Sequence, residues 1–499
     1  MSPSPPRPKN VSSEKGPHGP LFFEGFSLLR EETSLVAVAG LARKRGLRTC
    51  LVGGVVRNIL LNERLPNDFD FLCEGQTGDF AAEVAKILGG AAFILNKKNG
   101  LYRVVVKEEH RVLTLDFLPL RFPRIEDDLL QRDFIINAMA LPLEALFGEG
   151  FSTASLIDPL GGLRDSEKKV LRLVSERALG EDPLRCLRAV RLSERYGLSI
   201  DKDTRAQISA QAHLIEEKPV SRERIRDELC LIFEAPGTAS AIAGLLELGL
   251  LGVSMPSLRP GAGSGFFLET TSVLKTLKEA ELVINEIEAR AFPCRALEMR
   301  SCLEAGREAP SATATLKLAA FFYDIALATG ETSGVLDRHL VKTRLPAILK
   351  ELLFGNKTVR ALKGLLLAME RFLNMPLEIC RHPAVISLFF DRLIDEAGSV
   401  TPLFLTLAMA DSRRRGESPS SHRQIAIAAM TEFYFNTYIS APPPPFFTGD
   451  EIITTFNLQK GERVGLVKLM IEEALLAGLV SEREEAVAYI KKRIIERWG

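Results

Sequence analysis

The segments that resemble β-strands are confined to one part of this chain, roughly residues 48 to 120. There, strand-like runs such as TCLVGG and LYRVVVKE alternate with helix-like runs such as VVRNILLN. Beyond about residue 160 the strand signals fade, and segments such as DPLRCLRAVRLSERYG have the spacing of amphipathic helices. The sequence therefore predicts an α+β protein, with a small mixed sheet followed by an all-helical remainder.

The length of the chain, 499 residues, predicts more than one domain, because a single hydrophobic core stops growing at about 250 to 300 residues. Two stretches rich in Pro, Gly or Ser interrupt the helical part, SMPSLRPGAGSG from residue 254 and APPPPFF from residue 441, and each is typical of a linker. The N-terminal residues 1–24 begin with a run rich in Pro and Ser, which predicts a disordered tail.

Charge and cysteine content exclude several classes of protein. Lys and Arg together number 64, as do Asp and Glu, so any contact with RNA must come from a local patch rather than from a global positive field. The 7 cysteines include no C-x-x-C pair, which argues against a structural zinc site or a disulfide framework. Without a signal sequence or a run of about 18 apolar residues, we expect a cytoplasmic protein that has no contact with membranes.

The strongest chemical signal is a pair of carboxylates. Asp68 and Asp70 flank Phe69 in the strand-like run NDFDFL, so both side chains point to the same face. Close carboxylates repel each other unless a cation lies between them, and Mg²⁺ prefers such oxygen ligands. Taken alone, the pattern is more often a surface strand with two solvated aspartates.

A third carboxylate is predicted nearby. Asp116 lies in the strand HRVLTLDFLPLR, on the same face as Thr114, and pairing of neighbouring strands would bring it beside Asp68 and Asp70. Three carboxylates satisfy a two-metal site, in which one ion activates the attacking hydroxyl and the other stabilises the leaving pyrophosphate. An ordinary acid at a strand end remains the alternative for Asp116.

A glycine turn precedes this pair. In LVGGVVRN a strand ends at Gly53 and Gly54, and a helix carrying Arg57 begins. Glycines let backbone N–H groups approach a triphosphate, the helix N-terminus favours anions, and an arginine can bind phosphate oxygens in a bidentate manner. By itself such a turn is usually structural; its spacing from Asp68 and Asp70 favours a nucleotide site.

Five motifs in order give the chain a resemblance to the class II tRNA nucleotidyltransferase and bacterial poly(A) polymerase family. They are LVGGVVRN with NDFDF, DDLLQRDFIINAMA, DPLGGLRD, EDPLRCLRAVRL and SRERIRDEL, which cover about residues 50 to 250. A weaker likeness continues to the C-terminus. The fold that the resemblance implies is a polymerase-beta-like head with a small mixed sheet, followed by helical neck, body and tail.

The resemblance implies a role for each matching residue. Asp68 and Asp70 match the metal-binding pair, and Asp116 matches the third acidic position. Positions that match nucleotide-binding residues of the family, or that order its site, are Gly53, Gly54, Arg57, Arg132, Asp133, Asn137, Asp182, Arg185, Arg188 and Arg191. Within this set, Asp182 and Arg185 are expected to offer Watson–Crick-like hydrogen bonds to an incoming C or A, while Arg188 and Arg191 hold phosphates and the helix.

The motif EDPLRCLRAVRL also has a physical interpretation of its own. Pro183 suits the first turn of a helix, and Glu181 and Asp182 suit its N-terminus, so we expect a helix to start here. Asp182, Arg185, Arg188 and Arg191 recur every three residues, which predicts a polar stripe along that helix. A surface helix with ion pairs is the alternative without the upstream motifs.

The resemblance divides the chain into a tail (1–24), a nucleotidyltransferase head (25–175), a neck that recognises the base (176–253), a body (254–440) and an RNA-binding tail (441–499). The implied activity is template-independent addition of C, A or both to the 3′ end of tRNA from CTP and ATP, with Mg²⁺ and release of pyrophosphate. The two rivals are a poly(A) polymerase and a catalytically silent RNA-binding relative.

The chain departs from the family pattern at several positions. Asn58 stands where the family usually has Asp, and only eleven residues separate Arg121 from Asp133, as in relatives that add only CC or only A. In LKLAAFFYDIALATGE, Tyr323 occupies the place of the histidine of an HD metal site, so we interpret this segment as a core helix.

Two weaker signals lie near the C-terminus. Arg413, Arg414 and Arg415 form a basic run that predicts either contact with RNA phosphates or a solvated helix end. Ser481 and Glu484 predict a capping box for the last helix.

Overall fold

The computed structural model describes residues 20–149, 151–218, 220–259, 274–304, 310–330, 335–441 and 445–498. Most of the predicted N-terminal tail and parts of both predicted linkers lie outside these ranges. The chain divides into two compact units: one runs up to Arg185 and includes Tyr196–Gln211, and the other comprises Cys186–Arg195 and the residues from Ala212 onward. The predicted head falls within the first unit and the predicted body within the second, whereas the predicted neck is divided between them.

The first unit is built on one six-stranded mixed sheet with the strand order β3-β4-β5-β2-β1-β6. Its strands are β1 (Thr49–Val52), β2 (Asp68–Cys73), β3 (Ala91–Asn96), β4 (Leu101–Lys107), β5 (Val112–Pro119) and β6 (Ala140–Pro142). The β2–β5 pair is parallel and the other neighbours are antiparallel. The predicted mixed sheet is confirmed, with β6 as an edge strand that the sequence did not predict.

Ten helices belong wholly or in part to the described portion of this unit. They are α1 (Pro20–Glu31), α2 (Thr33–Arg45), α3 (Gly54–Leu60), α4 (Gly78–Leu88), α5 (Ile125–Leu129), α6 (Leu143–Leu146), α7 (Gly162–Lys168), α8 (Ala178–Glu181), α9 (Arg185–Tyr196) and α10 (Lys202–Gln211). Two short strands, β7 (Val170–Leu171) and β8 (Ser199–Ile200), pair in parallel and are exceptions to the predicted all-helical remainder. Because α1 begins at Pro20, the last five residues of the predicted disordered tail are helical.

The two faces of the six-stranded sheet differ. On one face, inward residues such as Phe69 and Phe71 pack with side chains of α1–α4 in a large core. On the other face a smaller core contains Val52 and Leu72 with Ile125 and Leu129 of α5, and Leu118 of β5 packs against it. The polar residues of β2 and β5 precede these apolar residues along their strands, on the same face.

The second unit is helical throughout its described part. Besides most of α9, it contains α11 (Leu214–Glu217), α12 (Arg222–Glu234), α13 (Thr238–Glu247), α14 (Leu250–Ser254), α15 (Lys275–Glu288), α16 (Ala296–Glu304), α17 (Ala312–Thr329), α18 (Leu345–Glu351), α19 (Asn356–Asn374), α20 (Pro383–Ala397), α21 (Thr401–Arg414), α22 (His422–Phe433), α23 (Gly449–Phe456), α24 (Glu462–Leu476) and α25 (Arg483–Trp498). Tyr323 is fully buried in α17, which confirms this segment as a core helix.

Two details near the C-terminus differ from the sequence interpretation. The arginines at the end of α21 are paired within the protein: Arg413 makes a bidentate ion pair with Glu286, and both following arginines pair with buried Asp411. Ser481 pairs with Glu485 rather than Glu484, donating from its backbone N–H and its hydroxyl to one carboxylate oxygen at 2.9 and 3.0 Å.

No single helix in the described ranges combines the length and the apolar character needed to cross a membrane. One pair of helices, α20 and α21, passes such a test when taken together, with a bend of 109° between them.

Candidate active site

The glycine turn between β1 and α3 requires glycine at its first position. Gly53 has φ +70° and ψ −125°, a conformation that side chains disfavour. A Cβ atom built on Gly53 would lie 2.8 Å from Nη1 of Arg132 and 3.8 Å from Oδ2 of Asp70. The turn therefore brings the backbone against the guanidinium and one carboxylate of the predicted site.

The sheet aligns the three predicted carboxylates on one face. In the parallel β2–β5 pair, Asp70 is directly opposite Asp116 and Asp68 is directly opposite Thr114. Residues directly opposite each other share a face, and alternation places Asp68 and Asp70 on the same face as each other. The predicted pairing of Asp116 beside the other two is thus present.

Two of these carboxylates already have partners within the protein. Arg103 of β4, opposite Asp116 in the sheet, donates two hydrogen bonds of 2.7 Å to its carboxylate. Asp68 accepts a hydrogen bond from the Thr114 hydroxyl. Within the described ranges, no three acidic, histidine or cysteine side chains form a ready-made metal cluster. The role of Asp116 as a catalytic carboxylate stays a prediction.

Asp70 lies where negative charge is costly. Burial raises its pKa, neighbouring Asp116 and Asp68 raise it further, and the Arg132 guanidinium acts in the opposite direction. Asp68 on the same face is exposed, so solvent and small ions reach this side of the strand. Asp68 and Asp70 thus face one accessible side of the sheet, and the ionised form of Asp70 is destabilised there. A divalent cation between the two carboxylates would offset this cost.

Arg57, predicted to bind phosphate, instead points into a buried network. Its guanidinium donates to Asn137 Oδ1 at 2.7 Å, to Asn58 Oδ1 at 2.9 Å and to the Tyr196 hydroxyl at 2.8 Å. It also lies 4.5 Å from the centroid of the Tyr196 ring, within cation–π range. In this structure Arg57 joins α3 to the end of α9, while its contact with phosphate stays a prediction.

Asp133 and Asn137 belong to the same network. Asn137 donates to Asp133 Oδ1 at 2.9 Å, and that oxygen also accepts the N–H of Phe134 at 2.8 Å. Because Asn137 also accepts from Arg57, a chain of hydrogen bonds runs from α3 to the backbone beside Arg132. This arrangement agrees with a residue pair that orders the site, while contact of either residue with the nucleotide stays a prediction. Gly54 borders the network, since a Cβ there would lie 3.5 Å from Arg57 Nη2.

The helix α9 begins at Arg185, two residues after Pro183. Asp182 is extended, as residues before proline usually are, and its carboxylate accepts the N–H of Leu184 at 3.3 Å, as a helix-capping side chain does. Asp182 therefore precedes the helix and is not part of its stripe. Arg185 donates to the carbonyls of Ala178 and Gln131, both at 3.1 Å. The latter bond ties Arg185 to the residue before Arg132.

Arg188 and Arg191 belong to the second unit, where both pair with Glu228 of α12. The distances are 3.3 Å from Arg188 Nε to Oε1 and 2.7 Å from Arg191 Nε to Oε2. Glu228 is buried, and a buried carboxylate needs such partners. The pairs account for a role of both arginines in holding helices together, while their contact with phosphate stays a prediction.

Sequence reasoning missed three residues of these networks. Arg103 could have been found only by knowing that β4 lies beside β5. Tyr196 is 139 residues from Arg57, and no local pattern connects them. Glu228 lies within the quoted motif SRERIRDEL, where an acidic residue at helical spacing among arginines was an available signal.

Two known families match this chain. The family described as the poly A polymerase head domain matches residues 49–172, which include the sheet and its carboxylates. A second family, described as the probable RNA and SrmB-binding site of polymerase A, matches residues 197–261.

Full-length relatives are also similar. An A-adding tRNA nucleotidyltransferase of Deinococcus radiodurans is 29% identical, with 89% of this chain and 94% of the relative covered. A CC-adding tRNA nucleotidyltransferase of Geobacter sulfurreducens is 30% identical, with 91% and 94% covered. The structure of a Thermotoga maritima CCA-adding enzyme complexed with tRNA has a TM-score of 0.58 at 19% identity, with 94% of this chain and 96% of that chain covered, so the fold is shared.

Proposed function

The chain belongs to the family of tRNA nucleotidyltransferases and bacterial poly(A) polymerases, and from that premise we propose that it adds C, A or both to the 3′ end of tRNA, using CTP and ATP. The observation that carries the proposal is the Asp68–Asp70 pair on the accessible sheet face, beside Arg132 and the Gly53 turn. Like the family in general, the enzyme uses a divalent metal, which we propose to be Mg²⁺.

Asp68 and Asp70 are the proposed ligands of the metal. When bound, the metal lowers the pKa of the attacking 3′ hydroxyl and offsets charge on the leaving pyrophosphate. Arg132 lies at the glycine turn, where its guanidinium is positioned to bind the triphosphate of the incoming nucleotide. Gly53 has no side chain, so backbone N–H groups can approach the same phosphates.

Selection of the base is proposed to depend on Asp182 and Arg185. An acidic acceptor and a guanidinium donor discriminate bases strongly, because a wrong base leaves buried polar groups unpaired. The guanidinium of Arg185 donates to two backbone carbonyls, which holds it near the segment that carries Arg132. Arg188 and Arg191 form ion pairs with Glu228, and we propose that they hold α9 in place and bind phosphate.

The remaining helices are proposed to form neck, body and an RNA-binding tail within the boundaries predicted from the sequence. The relatives that match nearly the whole chain act on tRNA by name, which favours tRNA addition over polyadenylation. Those relatives add either A or CC, so the number and type of nucleotides added is the property to measure first.

The test is incorporation of labelled CTP or ATP into three tRNAs that end at the discriminator base, at C or at CC. We expect one to three added residues with Mg²⁺, and none after Asp68→Ala, because this exposed side chain contributes little to folding but holds the metal. The matched control is Asp79→Ala, which removes an exposed carboxylate from α4 on the opposite side of the sheet and should retain activity.

The acceptor that is extended identifies the specificity. Extension only of the tRNA that ends in CC, by A, assigns A addition, and extension of the shorter acceptors by C alone assigns CC addition. Long A tails on any RNA would favour the poly(A) polymerase, and the absence of incorporation into every acceptor would overturn the proposal.

A further inference from the structure

Resting on the proposed function, we infer that Phe93 of β3 is a stacking platform for a base close to the 3′ end of the RNA acceptor. The residue is an exposed aromatic in the same cross-sheet row as the carboxylates. Its role would be to position the acceptor, rather than to take part in bond making.

The row follows from the strand register. Phe93 is directly opposite Arg103, Arg103 is opposite Asp116, and Asp116 is opposite Asp70. Directly opposite residues share a face of a sheet, so the aromatic ring, the guanidinium and both carboxylates lie on one side. Neighbouring strands are about 4.8 Å apart, so Phe93 lies roughly 10 Å from Asp116 and roughly 14 Å from Asp70 along the row. A few nucleotides of single-stranded RNA span that distance.

The sheet face is accessible on this side. The smaller core involves residues of β1, β2, β5 and β6, but none of β3 or β4. On the edge strand β3 the side chain of Phe93 is 44% exposed, although large apolar residues in strands are usually covered. An exposed ring continuous with a row of catalytic-site residues is the arrangement with which sheet proteins stack unpaired RNA bases.

The local charge also fits a nucleic acid. Arg103 stands between Phe93 and the carboxylates, and Lys97 and Lys98 follow β3 as exposed residues. Arg103 is already paired with Asp116, so the ring for the base and the exposed lysines beside it for the phosphates match the two parts of a single-stranded nucleotide.

The test compares Phe93→Ala with Ile94→Ala and Phe93→Tyr. Ile94 is the matched control, because it is adjacent on the same strand, equally exposed at 47%, and on the opposite face. Loss of stacking should raise the KM for the tRNA acceptor about tenfold in Phe93→Ala, with little change in the KM for CTP or ATP. Ile94→Ala should match the wild type, and Phe93→Tyr should restore the acceptor KM.

A second measurement detects stacking without catalysis. A fluorescent purine analogue is placed at each of the last four positions of an acceptor-stem RNA, and its quenching is followed as the protein is added without nucleotides. Quenching at one position by the wild-type and Phe93→Tyr proteins, but not by Phe93→Ala, supports the inference. Two results would overturn this inference but not the proposed function. One is a wild-type protein that incorporates nucleotides but quenches the fluorescence at no position. The other is an equal acceptor KM for Phe93→Ala and Ile94→Ala. Failure of the wild type to incorporate any nucleotide overturns the proposed function as well.

Discussion

Replacement of Gly53 by alanine should damage both stability and activity. At φ +70° and ψ −125° an alanine costs about 2 kcal/mol of backbone strain. Its methyl group would also lie 2.8 Å from Nη1 of Arg132, so the guanidinium must move away from Asp70 at a further cost of about 1 kcal/mol. We therefore expect the free energy of unfolding to fall by about 3 kcal/mol, measured by urea denaturation followed by circular dichroism.

Activity should fall more than the strain alone explains. Arg132 is proposed to bind phosphate, and displacement of a substrate-positioning group by about 1 Å can cost about 100-fold in rate, so kcat/KM for the nucleotide should fall by about that factor. Incorporation of labelled CTP or ATP at saturating tRNA measures this.

Gly40 in α2 and Gly46, which follows α2, separate the effect of backbone strain from the effect of the collision with Arg132. Gly46 has φ +60° with nothing within 4 Å of an added Cβ, so Gly46→Ala imposes strain of about 1 kcal/mol without a collision. Gly40 has neither strain nor a neighbour, so Gly40→Ala should stabilise the helix by about 0.5 to 1 kcal/mol. If Gly53→Ala kept the nucleotide kcat/KM of Gly46→Ala, the argument that the turn positions Arg132 would be refuted.

Three further substitutions test the other networks, each against the wild type in urea denaturation. Tyr196→Phe keeps the ring but loses the hydroxyl that accepts from Arg57 at 2.8 Å, and should cost about 2 kcal/mol. Glu228→Gln removes the charge that pairs with Arg191 at 2.7 Å and with a second arginine, and should cost about 2 kcal/mol. Burial raises the pKa of Asp324 from 3.8 to about 6, so the folded protein binds this proton more tightly than the unfolded chain does. As the pH falls from 7 to 4, the free energy of unfolding of the wild type should therefore rise by up to about 3 kcal/mol relative to that of Asp324→Asn.

For each of these three predictions, a specific result would contradict the reasoning. A loss below about 0.5 kcal/mol in Tyr196→Phe or Glu228→Gln would mean that water or another group replaces the missing partner. Parallel pH profiles for the wild type and Asp324→Asn would show that Asp324 titrates equally in the folded and unfolded chains.

The sheet face that carries the carboxylates was predictable because strand alternation is a local rule. The spacing of Asp68 and Asp70 alone places both on one face, and the pairing of Asp116 required only that β5 neighbour β2. By contrast, the partner of Asp116 depends on which strand lies on the other side of β5, and the sequence of β4 does not encode that neighbour. Arg103 was therefore missed.

The orientation of Arg57 shows the same limit. Its position on α3 followed from the glycine turn, but its direction is set by Tyr196 at the far end of another helix. The start of α9, by contrast, was predicted to within two residues, because an extended Asp182 followed by Pro183 is compatible with the beginning of a helix. Strand β6, with three residues, is too short to show any periodicity.

The parallel pairing of β2 with β5 has a consequence for synthesis of the protein. Asp68 and its partner Thr114 are 46 residues apart, and parallel strands cannot be joined by a tight turn, so α4, β3 and β4 must be made before the two strands meet. A growing chain that has emerged only through β4 presents its two aspartates without the strand that aligns them. The face that carries the proposed metal ligands can therefore be completed only after β5 has been made.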